Sequence, residues 1–246
     1  MRNLLVTIAY DGTDYHGWQV QPNGATVQQT VQDAIQKIIG KREDIVGCSR
    51  TDSGVHANNF CFNMRTDSPI SCFRFVGAMN AVLPDDIAVK DCKEVPYEFH
   101  ARYDCLGKEY IYKIWNSYQK NPFYTGRSYH YKRHIDEKLL KESAAAFVGK
   151  HDFSAFCASG SSVGSFERTV EYFDVSRDGN EVVFKVKADG FLYNMVRIMS
   201  GTLIEISEGK IAPDSIESII DSRRRSQAGR TLPACGLYLN KVFYKE

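Results

Sequence analysis

Short runs in which apolar and polar residues alternate recur along this 246-residue chain, with few helical patterns between them. A period of two is that of a strand with one buried face. The chain is thereby restricted to an α+β fold with a mixed or antiparallel sheet. Strands are expected over 4–10, 59–65, 87–95, 108–115, 168–176 and 181–188, the last two joined by Arg177-Asp178-Gly179-Asn180. Helical spacing links Val27, Val31, Ala34, Ile35, Ile38 and Ile39, with Thr26 as N-cap, Gly40 as the stop and glutamines on the other faces. Ser71 opens a helix over 72–82. Asp136 opens another to about 148, with Leu139, Leu140, Ala144, Phe147 and Val148 facing inward. Residues 191–206 read as the most apolar helix, and 214–221 as a short one. Residues 118–135, aromatic and basic without a clean period, read as a long connection, and 158–165 as the most flexible loop. No repeat of fixed period is present, but helix and strand alternate once in each half, which permits two similar halves.

One loop gathers reactive residue types. Residues 47–57, Gly-Cys-Ser-Arg-Thr-Asp-Ser-Gly-Val-His-Ala, lie between Ile45-Val46 and the alternating run Phe60, Phe62, Met64. Loops held by rigid strands are where chemistry is usually placed. Asp52 is the loop's only carboxylate, and Arg50 stands two residues before it. The same residues also fit a plain Asx-type turn, with Gly54 supplying positive φ. Tyr110 and Tyr112 share one face of the 108–115 strand, where aromatic residues commonly just pack. Arg197 has no clean polar face within its apolar helix. Its guanidinium must reach solvent along its stem or meet a carboxylate. Trp18 is either a core anchor or an exposed ring. The run Ser222-Arg223-Arg224-Arg225-Ser226 is either a solvated surface or a grip for phosphate.

A hydrophobic content of 43% and a charged content of 25% describe an ordinary soluble globular protein of one or two domains. A net charge of +1 does not favour a nucleic-acid partner; such a partner requires basic groups gathered on one face. Seven cysteines, an odd number without a C-x-x-C pair, argue against a zinc site or a disulfide framework and fit a reducing cytoplasm. The first apolar residues, Leu4 to Ile8, are too few for a signal peptide or a membrane span. No Gly-rich nucleotide loop and no metal-ligand spacing is present, so neither a cofactor nor a metal is expected.

Residues 49–57, Ser-Arg-Thr-Asp-Ser-Gly-Val-His-Ala, resemble the catalytic motif of the TruA family of tRNA pseudouridine synthases, usually Gly-Arg-Thr-Asp-Ala-Gly-Val-His-Ala. Ser49 and Ser53 are the departures, both small. The opening Tyr10-Asp11-Gly12, then Gly17-Trp18-Gln19, resembles the family's opening. Phe99-His100-Ala101-Arg102 followed by Lys108-Glu109-Tyr110-Ile111-Tyr112 resembles its second motif. Phe191-Leu192-Tyr193-Asn194-Met195-Val196-Arg197 resembles its third, with Asn194 where many members have His. His151–Phe156 and Gly236-Leu237-Tyr238-Leu239 also match, so the resemblance runs from residue 10 to 239 in the right order.

The resemblance implies the pseudouridine synthase fold: two similar α/β halves around a central mixed, mostly antiparallel sheet, with an active-site cleft between them. Residues 1–105 would carry the Asp loop, and 106–246 the Tyr strand and the Arg helix. It implies Asp52 as nucleophile, Arg197 as its ion-pair partner, and Tyr110 beside the uracil for stacking and proton relay. Arg50 is a candidate for base flipping or phosphate holding. The implied partners are tRNA, modified in its anticodon stem-loop, and a second copy of the chain. A carboxylate suits this chemistry because it can add covalently and still leave. Two other readings stay open on the residues. A nucleoside or glycoside hydrolase would usually want a second carboxylate nearby, which the loop does not offer. A catalytically silent RNA-binding protein would bind without turnover.

Overall fold

A computed structural model of the chain describes residues 1–160 and 163–245. In chain order the elements are β1 (Arg2–Tyr10), α1 (Val27–Ile39), β2 (Ile45–Gly47), β3 (His56–Thr66), α2 (Cys72–Val82), β4 (Ile87–Val95), β5 (Cys105–Asn116), β6 (Tyr129–Tyr131), α3 (Glu137–Ala144), β7 (Gly149–Asp152), β8 (Glu167–Asp178), β9 (Glu181–Ala188), α4 (Met195–Ser207), α5 (Ile216–Ser222) and β10 (Leu237–Tyr244). They divide into two compact units: Met1–Leu106 with the tail from Tyr238 onward, and Gly107–Leu237.

In the first unit the strand order is β4-β1-β3-β10, with β2 also paired to β3. β1 is antiparallel to β3 and β4, while β10 runs parallel to β3 and brings Tyr238 opposite His56. The alternation read in the sequence puts Leu4, Val6 and Ile8 of β1, and Phe60, Phe62 and Met64 of β3, out of water almost completely. The opposite face carries a polar relay. Asn63 donates to Asn3 Oδ1 (3.0 Å), Asn3 donates to the Phe99 carbonyl (2.8 Å), and Ala101 N donates to Asn63 Oδ1 (2.8 Å). Each buried amide is thus satisfied, and the segment around Ala101 is tied to the sheet. α1 starts where Thr26 Oγ1 accepts from Gln29 N and stops at Gly40 with φ 77°. It buries Val27, Val31, Ala34 and Ile35; Gln32, expected on an outer face, is buried too and donates to the Glu43 carbonyl (3.0 Å). Ser71 caps α2, which buries Phe75 and Met79.

In the second unit the order is β5-β9-β8-β7. β6 lies parallel on β5, inside what the sequence suggested was a bare connection; three residues are too few to show a period. The β8–β9 hairpin closes through Gly179 at φ 55°. α3 tightens after Ala144 into a 3-10 turn over Ala145–Phe147, so Val148 ends 42% exposed rather than facing inward. α4 also departs from expectation. It begins at Met195, not Phe191, because Asn194 has φ 60° and cannot sit inside a right-handed helix. Phe147, Phe153, Phe156, Phe173 and Phe184 form an aromatic core beside it. Within the expected loop 158–165, residues 161 and 162 lie outside the described residues. Among the described residues no helix is long and apolar enough to cross a membrane.

Candidate active site

Asp52 stands half-buried in the loop from β2 to β3. The loop is fixed by its neighbours at nearly every residue. Cys48 N donates to the Cys61 carbonyl (2.8 Å), and Trp18 N donates to the Thr51 carbonyl (3.2 Å). The Tyr10 and Thr51 hydroxyls are 2.8 Å apart and buried. Gly54 N and Ser53 Oγ both donate to the Tyr15 carbonyl, at 3.2 and 3.3 Å. Val55 N donates back to the Asp52 carbonyl (3.2 Å) across a tight turn with Gly54 at φ 76°. The positive φ read in the sequence for Gly54 is therefore present, in a turn closed by main chain that holds the carboxylate on a rigid backbone. Ser53, a departure from the family motif, contributes a hydroxyl bond to that brace.

The stretch 10–18 is the brace itself. A side chain at Gly17 would put its Cβ 2.4 Å from the Thr51 carbonyl oxygen, and one at Gly12 would come within 2.0 Å of the Val55 oxygen. Only glycine permits this backbone-on-backbone contact. Gly12 N donates to His56 Nδ1 (3.0 Å), and the His56 ring stacks on Tyr238 at 4.5 Å between centroids. Trp18 is 3% exposed and stacked on Phe60 at 4.1 Å, which makes it a core anchor. Arg50 is exposed at the loop's start.

In the second unit, Tyr110 lies on β5 opposite Val186 and is 6% exposed. Phe191 meets its ring edge-on, with centroids 5.0 Å apart. Tyr112, two residues on, is fully buried and donates its hydroxyl to the Pro233 carbonyl (2.7 Å); burial pushes that phenol well above its ordinary pKa. Tyr112 is thus a structural tyrosine.

Arg197 sits in the first turn of α4, half-buried. Its Nε donates to the Leu232 carbonyl (2.7 Å) and its Nη1 to Asn194 Oδ1 (2.7 Å). Leu232 N in turn donates to the Arg197 carbonyl (3.2 Å). Neither simple alternative read from the sequence includes these neutral oxygens. The segment 228–232 is pressed onto α4 at Gly201 and Gly229, and Gly229 N donates to Thr202 Oγ1 (2.9 Å). Within it Arg230 pairs with Glu205 (3.2 Å) and Glu208 (2.8 Å), and its hydrogen bond holds the Glu208 carboxyl down at about 2.

The basic run 222–226 is partly structural. Arg223 ends α5 at φ 55° and pairs with Asp152 (3.3 Å), while Arg225 is half-buried and donates to the Ala228 carbonyl and Thr231 Oγ1. Arg224 is exposed. Among the described residues no group of three or more His, Cys, Asp and Glu is placed to hold a metal ion.

The sequence places Thr51 and Tyr238 inside the matched motifs without indicating their bonds, and it gives no sign of Leu232; Asn194 carried a signal for its role as a residue type that tolerates positive φ.

Comparison with known proteins bears on the whole chain. A family model described as tRNA pseudouridine synthase matches residues 6–104 and again 143–245, so the two halves are similar to each other. The chain is 48% identical over 244 residues to a tRNA pseudouridine synthase A from Acetivibrio thermocellus, covering 99% of this chain and 100% of that one. It is 45% identical, with the same coverage, to proteins from Clostridium acetobutylicum and Clostridium perfringens, named tRNA pseudouridine synthase A and tRNA pseudouridine synthase A 2. With both halves matched by one model and full-length relatives near half identity, the chain belongs to the tRNA pseudouridine synthase family.

Proposed function

We propose that this enzyme converts uridines in the anticodon stem-loop of tRNA to pseudouridine, with Asp52 as nucleophile. The bond from uracil N1 to ribose C1′ breaks, the base turns while held, and C5 joins C1′. C5 gives up its proton and N1 gains one, so no redox partner or group donor enters the balance. Asp52 adds covalently to the sugar or base and leaves again. Arg197 keeps it ionised, since a nearby cation lowers a carboxylate pKa and offsets the cost of holding a charge out of water. Tyr110 stacks on the uracil and relays the C5 proton. A stem-loop base must be extruded to react, costing a few kcal/mol, and Arg50 fills the vacated stack or holds the phosphate. The tRNA is gripped through its shape and phosphates by lysines and arginines, and is held across a homodimer. The setting is the reducing cytoplasm, in keeping with seven free cysteines.

The observation that supports this most is the Asp52 loop. A half-buried carboxylate rides on a turn whose residues 48, 51, 53 and 54 are each tied to a neighbouring strand or brace, and Val55 closes the turn onto the Asp52 carbonyl. A group that must add to one atom and release it gains from such preorganisation. The test is Asp52→Asn assayed by tritium release from tRNA carrying 5-tritiated uridine. Turnover should fall by about a thousandfold or more while tRNA affinity stays within a few fold. Retained turnover would end the reading. Sedimentation of the free and tRNA-bound protein tests the dimer, and mapping of pseudouridines in tRNA from cells with and without the protein tests the stem-loop assignment.

A further inference from the structure

We propose that Asn194 is a positioning residue for Arg197, aiming the guanidinium by a neutral hydrogen bond made from a left-handed backbone. The proposal rests on the reading of Arg197 as partner of the catalytic carboxylate. Asn194 and Arg223 are the two non-glycine residues with positive φ among the described residues. Arg223 has an ordinary reason, since it ends α5. Asn194 is at the other end of a helix, immediately before α4, with φ 60° and ψ 10°. An asparagine there normally has extended backbone and accepts the free N–H groups of the first turn. Here no side-chain cap bond forms. The amide oxygen lies instead 2.7 Å from Arg197 Nη1. The side chain is thus taken from its usual task and given to the arginine.

Two bonds on different nitrogens fix a planar group. Nε is held by the Leu232 carbonyl and Nη1 by Asn194, so the plane of the guanidinium and the direction of its Nη2 end are both set. The Leu232 contact is to main chain, but Asn194 is a side chain and can be changed. Its neutrality matters. A carboxylate here would also orient the arginine but would take up its charge, and a cation already neutralised stabilises a second carboxylate less. Asparagine, aspartate and histidine all enter the left-handed region more readily than other non-glycine residues, and glycine enters it freely. Four residues can therefore occupy this backbone while differing in what they present to Arg197.

Those four make the experiment. Asn194→Gly keeps the backbone and removes the acceptor, and should lower kcat about 10- to 100-fold with tRNA affinity within twofold and a melting temperature no lower than the parent's. Asn194→His supplies a neutral ring nitrogen as acceptor and should restore kcat to within about threefold of the parent. Asn194→Asp keeps the acceptor and the fold but should lower kcat at least as far as glycine does. A glycine variant with full kcat, a histidine variant as slow as glycine, or an aspartate variant with parental kcat would each overturn the proposal. Arg197→Ala, assayed beside them, separates this inference from the one beneath it. If that variant keeps its turnover, the catalytic reading of Arg197 fails; if it is inactive while Asn194→Gly is not, only the positioning role fails.

Discussion

Replacing Gly201 by alanine sets two effects of opposite sign against each other. Gly201 lies inside α4, where glycine is less favourable than alanine by about 1 kcal/mol. On helix propensity alone the variant would gain stability. The structure opposes this. A Cβ at 201 would stand 1.7 Å from the Arg230 carbonyl oxygen, and ordinary contact begins near 3.4 Å, so helix and segment must part by about 1.7 Å. The obstacle is main chain, which cannot rotate aside. Overpacking of this kind costs about 1–3 kcal/mol. Separation also strains the Gly229–Thr202 bond and the paired bonds between Leu232 and Arg197, each worth about 1 kcal/mol. The net is a loss of about 2–4 kcal/mol, several times the propensity gain. Urea unfolding should show a lower midpoint with an unchanged slope, and, on the role proposed for Arg197, kcat should fall as its Leu232 anchor is displaced. Gly77→Ala is the control. It lies in α2, exposed, with nothing within 4 Å of the added Cβ, and should be neutral or up to about 1 kcal/mol more stable. A Gly201→Ala protein as stable as the parent and fully active would refute the claim that this contact positions Arg197.

Thr51→Val keeps the shape but strips the hydroxyl that meets Tyr10, removing one bond of a buried phenol; a loss of about 0.5–1.5 kcal/mol is expected in chemical denaturation, with slower tritium release on the proposed role of Asp52, the next residue. Glu208 should leave an acid signature. Its carboxyl titrates near 2 in the fold and about 4.3 when unfolded, so its stabilisation is complete above pH 4.3 and disappears as pH falls towards 2. The shift corresponds to about 3 kcal/mol, discounted to roughly 1–2 because Arg230 and Lys210 are 35% and 59% exposed; Glu208→Gln should flatten stability against pH in that window. Within the basic run, Arg225→Ala should lower the unfolding free energy measured in urea by about 1–2 kcal/mol through its lost bonds to Ala228 and Thr231, whereas Arg224→Ala should leave stability within about 0.5 kcal/mol. An Arg225→Ala effect as small as that of Arg224→Ala would show that the run is all surface.

The Asp52 loop was legible because what marks it is local, a carboxylate, a glycine two residues on for the turn, and strands on both sides whose alternation is visible within ten residues, whereas the 10–18 brace that holds it is not. The strands β1, β3, β4, β8 and β9 were legible for the same reason, as were the caps Thr26, Ser71 and Asp136. The bond between the Tyr10 and Thr51 hydroxyls and the parallel pairing of β10 with β3 were not. His56 and Tyr238 stack, but no pattern near either residue names a partner so far along the chain. Long-range pairing is decided by loop closure and burial over the whole unit, which a local period does not encode.

The start of α4 illustrates a different limit. Phe191, Leu192, Met195, Val196 and Met199 fall at helical spacing, and a reading by apolarity runs the helix through all of them. Apolarity records which residues leave water; it carries no sign for φ. The helix is broken by one backbone angle at Asn194, and that angle turns the amide towards Arg197 instead of the helix end. Burial of Leu192 and Met195 at 5% and 1% persists across the break, so hydrophobic pattern and backbone conformation part company at this residue. A position where a locally adequate solution, a continuous helix, gives way to a strained one is where function is to be sought, because strain survives only where the surroundings enforce it. Here the enforcing contacts are the Leu232 and Arg197 main-chain and side-chain bonds, and the residue they serve is the arginine itself.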